Sequence, residues 1–217
     1  MASASVEDYL KAIYLLQTAR TPATTRGLAD GLGVRMASVT GMVKQLHAAG
    51  YVRHERYRGV QLTAKGRRLA LRVLRRHRII ELFLSKVLGL PWDEVHEDAE
   101  ALEHAASDRV IERLNTLLGS PAFDPHGAPI PHGDGTISPL NGRLLSDCEV
   151  GHRGRILCVS DKDPAFLRYL AGIGIRIGLR FRLVDKAPFD GPLAIHAGRK
   201  KIVLGHPAAT RVLVSPP

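Results

Sequence analysis

Gly33 and Gly50 punctuate the first sixty residues at places where a helix has to stop. Before them, residues 6–18 (VEDYLKAIYLLQT) set Val6, Leu10, Ile13 and Leu16 at helical spacing, with Tyr9 and Ala12 widening the stripe. Thr21-Pro22 ends that helix. Residues 25–32 (TRGLADGL) form a short second one, with Thr25 as a candidate N-cap and Leu28, Ala29 and Leu32 turned inward. Residues 36–49 (MASVTGMVKQLHAA) form a third, with Val39, Met42, Val43 and Leu46 on its buried side. Two short β-type runs follow around Arg58-Gly59, in YVRHERYRGVQLT.

Helix, glycine turn, helix and hairpin in this order describe a winged helix-turn-helix. The third helix would then lie in the major groove, with Arg35, Ser38, Thr40 and Lys44 opposite its apolar stripe, while the wing adds Arg53, Arg56 and Arg58. A basic helical face can also be merely solvated, so the charge distribution matters. The net charge of +10 is blocked: residues 1–90 carry 16 Lys/Arg against 5 Asp/Glu, residues 91–140 carry 2 against 10, and residues 141–217 carry 13 against 6. A basic start suits phosphate backbones and an acidic centre suits cations.

Further along, residues 64–89 read as a long basic helix with Leu69, Val73, Leu74, Ile80 and Leu84 as its apolar positions. Helices at about 93–105 and about 108–118 follow Pro91. SPAFDPHGAPIPHGDG then has the composition of a linker. From about 144, the runs GRILCV, RFRLVD, LAIHAG, KKIVLG and RVLVS, with one short helix at about 163–172, read as a small β-barrel. The expected fold is mainly α with α+β elements, divided into residues 1–72 (winged helix), 73–125 (helical domain), 126–143 (linker) and 144–217 (barrel).

The acidic centre concentrates donors. His96, Glu100, Glu103 and His104 fall at i, i+4, i+7 and i+8, one face of a helix, and His77 and Glu81 form an i, i+4 pair on the helix before. Two imidazole–carboxylate faces on consecutive helices can converge on a cation; a solvated coat of the same residues is the alternative. Oxygen and imidazole donors without sulfur suit Mn2+ or Fe2+ more than copper, and zinc can use them as well.

Several stretches resemble the diphtheria toxin repressor family of metal-dependent transcriptional regulators, above all its manganese-responsive branch: VEDYLKAIYLL, SVTGMVKQLHAAGYV, RGVQLTAKGRRLA, HRIIELFL, VHEDAEALEHAASDRVIERL and DPHGAPIP. FLRYLAGIGIRIGLRFRLV and GRKKIVLGHPAATRVLV are similar to the SH3-like barrel of such regulators and of small ferrous-transport accessory (FeoA-type) proteins. The resemblance implies one site of His77, Glu81 and His96 and a second of Asp8, Glu100, Glu103 and His104. Iron-type relatives carry sulfur ligands where Asp8 and Glu100 stand, so these two carboxylates imply Mn2+ over Fe2+. Lys11 departs from manganese-type members, which can place a glutamate there. Asp161 and Asp163 correspond only loosely to barrel ligands and are equally consistent with turns.

The resulting expectation is a metal-dependent repressor of metal-homeostasis genes. It would bind a pseudo-palindromic double-stranded operator as a homodimer, joined through Val110, Ile111, Leu114 and Leu117. Rival readings are a winged-helix regulator sensing an organic ligand and a metal-dependent hydrolase. No Ser-His-Asp or Cys-His arrangement stands out, and no catalytic residue is assigned. Gly172, Gly174 and Gly178 miss the dinucleotide fingerprint because Ile177 takes the third glycine's place. Two cysteines, no bilayer-length apolar run and no secretory start lead to the expectation of a cytoplasmic protein.

Overall fold

In the computed structural model, which describes residues 3–19, 21–55 and 59–216, the first apolar stripe becomes α1 (Ala4–Thr18). The second and third become α2 (Thr25–Leu32) and α3 (Met36–Ala48), and the hairpin becomes β1 (Val52–Glu55) paired antiparallel with β2 (Gly59–Leu62). The winged helix-turn-helix is therefore present. Its cap differs by one residue from the expectation: Thr24, not Thr25, accepts from Gly27 N at 3.0 Å, and Gly33 closes α2 in the left-handed region at φ 64°. The long basic helix is α4 (Ala64–Lys86), three residues shorter than its apolar pattern suggests. α5 (Val95–Glu103) is likewise trimmed, so His104 follows the helix rather than lying on it. α6 is Asp108–Leu117.

The chain packs as two compact units. Residues 1–77, 103–107 and 131–137 form the first. Its core joins Leu10 and Ile13 of α1 to Leu28, Val39 and Leu46, to Val52 and Val60 of the hairpin, and to Leu71 and Leu74 of α4. Residues 78–102, 108–130 and 138–217 form the second. It contains the expected SH3-like architecture: β3 (Arg143–Leu144), β4 (Arg153–Val159), α7 (Pro164–Ile173), β5 (Arg180–Lys186), β6 (Leu193–Ala197), β7 (Lys200–Leu204), α8 (His206–Ala209) and β8 (Val212–Val214). The six strands form one antiparallel sheet in the order β3-β8-β4-β5-β6-β7 around Ile156, Leu167, Leu170, Leu183, Ile195 and Leu204.

Two expectations change. Charges counted with the basic first block are partly internal: Arg76 is buried and donates to the Glu103 carbonyl at 3.4 Å, and Arg75 donates to the Pro131 carbonyl at 2.8 Å. Such arginines pair off chain carbonyls rather than phosphates. The stretch read as a linker is built into the second unit at its start, where Asp124, His126 and Ile130 are buried. Asp124 Oδ1 accepts from the backbone N–H groups of His126 (2.8 Å) and Ala128 (2.9 Å), an Asx-type turn. Val159 N donates to the His126 carbonyl at 3.0 Å. Composition alone cannot distinguish such a turn from a linker, because the constraint comes from distant residues.

Gly127 shows the tightness of that turn. Its φ is +85°, and a Cβ there would stand 1.9 Å from the Leu157 carbonyl oxygen, whereas Gly89 (φ +75°) has open space around it. Gly89→Ala should cost about 1–2 kcal/mol, the left-handed penalty alone. Gly127→Ala adds a backbone clash and should cost more than that by at least about 2 kcal/mol. Equal denaturant midpoints for the two variants would show that residues 123–130 yield freely.

Candidate metal centre

In the first unit, α1 turns Leu10 and Ile13 into the core and presents Glu7, Asp8 and Lys11 on an adjoining face. Residues 103–107 supply the facing groups. Glu103 is fully buried (0% exposed), and both its carboxylate oxygens are held: Lys11 Nζ donates to Oε1 at 2.6 Å, and the His77 ring Nδ1–H to Oε2 at 2.6 Å. Burial alone would raise the Glu103 carboxyl. The His77 hydrogen bond and the Lys11 charge outweigh it and hold the group below the usual carboxylate range.

His104 lies between two carboxylates, with Nδ1 2.8 Å from Glu7 Oε2 and Nε2 2.8 Å from Asp8 Oδ1. Partial burial would lower its ring, but the bond to Glu7 and the charge of Asp8 raise it instead. Asp8 is raised by burial, which the His104 and Lys11 charges only partly offset. One oxygen each of Asp8 and Glu103 and one nitrogen of His104 lie within 4.8 Å of one another. A divalent ion fits this set: two hard oxygens and an imidazole, with Nε2 on the side of Asp8 and Glu103 and Nδ1 anchored by Glu7. Sequence patterning missed Glu7; its only signal is its place beside Asp8.

The second unit contains another cluster. Glu81 is fully buried; His96 Nδ1 stands 3.2 Å from Glu81 Oε1, and His96 Nε2 3.6 Å from Glu100. Glu81, Asp124 and His126, all buried, also bring one ligand atom each within 4.8 Å of one another. His126 Nε2 donates to the Trp92 carbonyl at 2.7 Å, and its Nδ1 stands 3.8 Å from Glu81 Oε2 without a hydrogen bond. Burial and the Glu81 charge push Asp124 up to about 6, against the pull of Arg78 at 3.3 Å. Two buried carboxylates and a buried imidazole nitrogen without a hydrogen-bond partner also fit a divalent cation.

Most of the expected ligands keep their expected company: Glu103, His104 and Asp8 come together and Glu81 stands with His96, while Glu100 lies beside His96 and the His77 ring is bonded to Glu103. The helix ends at Glu103, so spacing on one continuous face no longer orders these donors. Asp124 and His126 join Glu81, although sequence composition placed His126 in a linker. Asp163 caps α7, accepting from Ala165 N at 3.0 Å, and pairs with Arg211 at 3.3 Å, which makes it a turn residue.

On α3, Arg35, Ser38, Thr40 and Lys44 are all exposed, while Val39 and Leu46 are buried, as a groove-reading helix requires. Thr40 Oγ1 donates to the Met36 carbonyl at 3.0 Å, which leaves its oxygen to accept. Arg56 and Arg58 lie outside the described residues. Of the apolar α6 positions, Val110 (48%) and Leu117 (66%) are exposed and Leu114 is half-buried. Ile111 is 2% exposed and packs inside its own protomer, so it cannot anchor a partner.

Family models for the N-terminal DNA-binding domain of iron-dependent repressors match residues 1–60, and those for their metal-binding and dimerisation domain match residues 63–132. A FeoA domain model matches residues 143–216. The iron-dependent repressor IdeR of Mycobacterium leprae (strain TN) is 37% identical over 222 residues, covering 97% of this chain and 96% of the relative. This chain belongs to the iron-dependent, or diphtheria toxin, repressor family. It is therefore a metal-responsive transcriptional repressor with a DNA-binding head, a dimerisation segment and a FeoA-type domain. MntR of Shouchella clausii (strain KSM-K16), a helix-turn-helix regulator, is 38% identical over 118 residues, or 54% of this chain and 82% of that one. A manganese-dependent transcriptional repressor solved in complex with manganese superposes with a TM-score of 0.92 at 39% identity, covering 98% of this chain and 100% of the other. Among the described residues, no helix is long and apolar enough to cross a membrane.

Protons and metal compete for His104. Because its ring is raised, it stabilises the metal-free fold fully below its ordinary value and loses that contribution as pH rises through the raised one. Glu103, being lowered, keeps its contribution above the ordinary carboxylate range and loses it as pH falls through the lowered value. Metal affinity should therefore tighten as pH rises through the ordinary histidine value and on through the raised one, with release of a proton. Calorimetry in buffers of different ionisation heat reads that proton directly; zero release across this window contradicts the assignment.

Proposed function

We propose that this chain is a manganese-responsive repressor that, when metal-loaded, binds a pseudo-palindromic operator as a homodimer and controls metal-homeostasis genes. The observation that carries the reading is the meeting of Asp8 on α1 with Glu103 and His104 within 4.8 Å. α1 packs on α2 of the helix-turn-helix, so a ligand shared between Asp8 and residues 103–104 bears on the reading head. The proposed metal ligands are Asp8, Glu103 and His104, with Glu81, His96, Glu100, Asp124 and His126 as a second group. His77 contributes through Glu103.

Bound there, a divalent ion supplies two positive charges that oxygen and imidazole donors satisfy together. The protein does the rest. Glu7 fixes the His104 ring through Nδ1, and Lys11 and His77 hold Glu103 in one rotamer. Drawing Asp8 and residues 103–104 together raises the fraction of heads in the binding-competent pose. Val110, Leu114 and Leu117 are the proposed dimer face, and Arg35, Ser38, Thr40 and Lys44, with Arg56 and Arg58 of the wing, the operator contacts. The manganese preference, over Fe2+, rests on the absence of sulfur from both donor groups and on relatives named for manganese. We place the protein in the cytoplasm and assign it no catalysis; the rival hydrolase reading requires turnover of a phosphoester or peptide by the pure protein.

Operator binding titrated with Mn2+, Fe2+ (anaerobically), Co2+ and Ni2+ at buffered free concentration tests the metal assignment. Asp8→Met should weaken the Mn2+ response by at least about tenfold relative to the other three, since a thioether replaces a hard oxygen. His104→Ala should abolish the response to all four. An unchanged rank order in Asp8→Met removes Asp8 from metal selection.

A further inference from the structure

The outward face of the C-terminal sheet carries charge that its fold does not require. Strand register sets Arg153 of β4 opposite Arg182 of β5, Arg182 opposite His196 of β6, and His196 opposite Lys201 of β7. Arg155 stands opposite Arg180 in the next row. All six are exposed, while the alternating Phe181, Leu183, Ile195 and Ile202 point into the core. Among the described residues, none of the six makes an ion pair. β4 to β7 carry seven Lys/Arg and a single acid, Asp185, which lies further along β5 opposite Ala194.

Like charges directly opposite across an antiparallel pair destabilise it. Two such arginine pairs side by side, with no acid between them, are a cost that folding alone gives no reason to bear. At about 4.8 Å between strands, the row Arg153–Arg182–His196–Lys201 runs roughly 14 Å across the sheet. That is a band of positive charge on the scale of several phosphates of a duplex, which carries one charge per about 1.7 Å of axis. Four of the five permanent cations are arginines, whose planar forks suit phosphate oxygens. No aromatic side chain shares this outward face, because Phe181 points inward, so stacking on unpaired bases has no platform. Nor is there a side chain such as Asn or Gln on β4 to β7 for reading adenine edges.

We infer that this face of the FeoA-type domain is a second DNA-contacting surface, which binds the phosphate backbone of duplex DNA without reading its sequence. The occupant is argued from charge complementarity and from the DNA-binding domain on the same chain, which holds duplex at high local concentration for a second, weaker contact. The surface adds affinity and salt sensitivity while the α3 side chains supply specificity.

The test uses the full-length, Mn2+-loaded protein and a long duplex lacking an operator, with anisotropy read across a salt series. Changing Arg153, Arg155, Arg180 and Arg182 together to Gln should weaken binding roughly tenfold or more at low salt, and flatten the plot of log affinity against log salt by roughly two to four units. Changing the same four to Lys should preserve the slope. Because repulsion is relieved, the Gln variant should melt at or above the unchanged protein's temperature, which separates this loss from unfolding. An unaltered slope in the Gln variant overturns the inference. So does binding to phosphatidylglycerol vesicles that depends on these arginines while duplex affinity does not. The Mn2+ dependence of operator binding should survive in the Gln variant; its loss would count against the proposed function and not against the barrel surface.

Discussion

A carboxylate with no exposure to water organises the proposed metal-binding part of this protein. Glu103 sits in the interior of the first unit, where an isolated charge would cost several kcal/mol. It is tolerated because Lys11 from α1 and His77 from α4 each donate to one of its oxygens. Those two bonds fix three segments of chain to one point: α1, α4 and residues 103–107. Asp8 and His104, neighbours of Lys11 and Glu103 in sequence, are thereby brought face to face. Removing either partner would strand the buried charge at a cost of about 3–5 kcal/mol, so this pair network and the donor set stand or fall together.

The Lys11 ammonium also explains a departure from what manganese-type relatives imply. A cation fixed 2.6 Å from Glu103 already balances one of the negative charges that a pair of metal ions would need. The first unit therefore presents three donors around a single space. The second unit reaches a comparable arrangement by another route. There the buried acids Glu81 and Asp124 lie beside Arg78, which pairs with Asp124, and beside His126, which the Trp92 carbonyl holds through Nε2. Both clusters are built from oxygen and nitrogen, and Cys158, whose thiol burial pushes up to about 12, joins neither.

Much of this was readable in the residues alone. The stripes of Leu10 and Ile13, Leu28 and Ala29, and Val39 and Leu46 are periodic and local, and each became the helix it suggested. The donor types were readable too, since burying acids beside histidines is costly without a purpose. Their grouping was readable in part: Asp8 meets Glu103 and His104, and Glu81 meets His96, but Glu100 lies beside His96. Spacing on a helix assumes that the helix continues, and α5 stops at Glu103, which separates the environment of His104 from that of His96. Asp124 and His126 were hidden because Asp-Pro-His-Gly has turn composition, and only Leu157 and Trp92, distant in sequence, make that turn part of the interior. For the same reason Arg75 and Arg76 add to the basic charge counted over residues 1–90 although they are spent on carbonyls within the chain.

The central claim is that metal held by Asp8, Glu103 and His104 and operator held by α3 are coupled through the first unit. Coupling of that kind is reciprocal. Operator affinity measured in chelator and in saturating Mn2+, together with Mn2+ affinity measured with and without operator, decides it most directly. Both ratios should exceed about tenfold and agree with each other, and both should collapse toward unity in Asp8→Ala. Equal operator affinity in chelator and in saturating Mn2+ would contradict it.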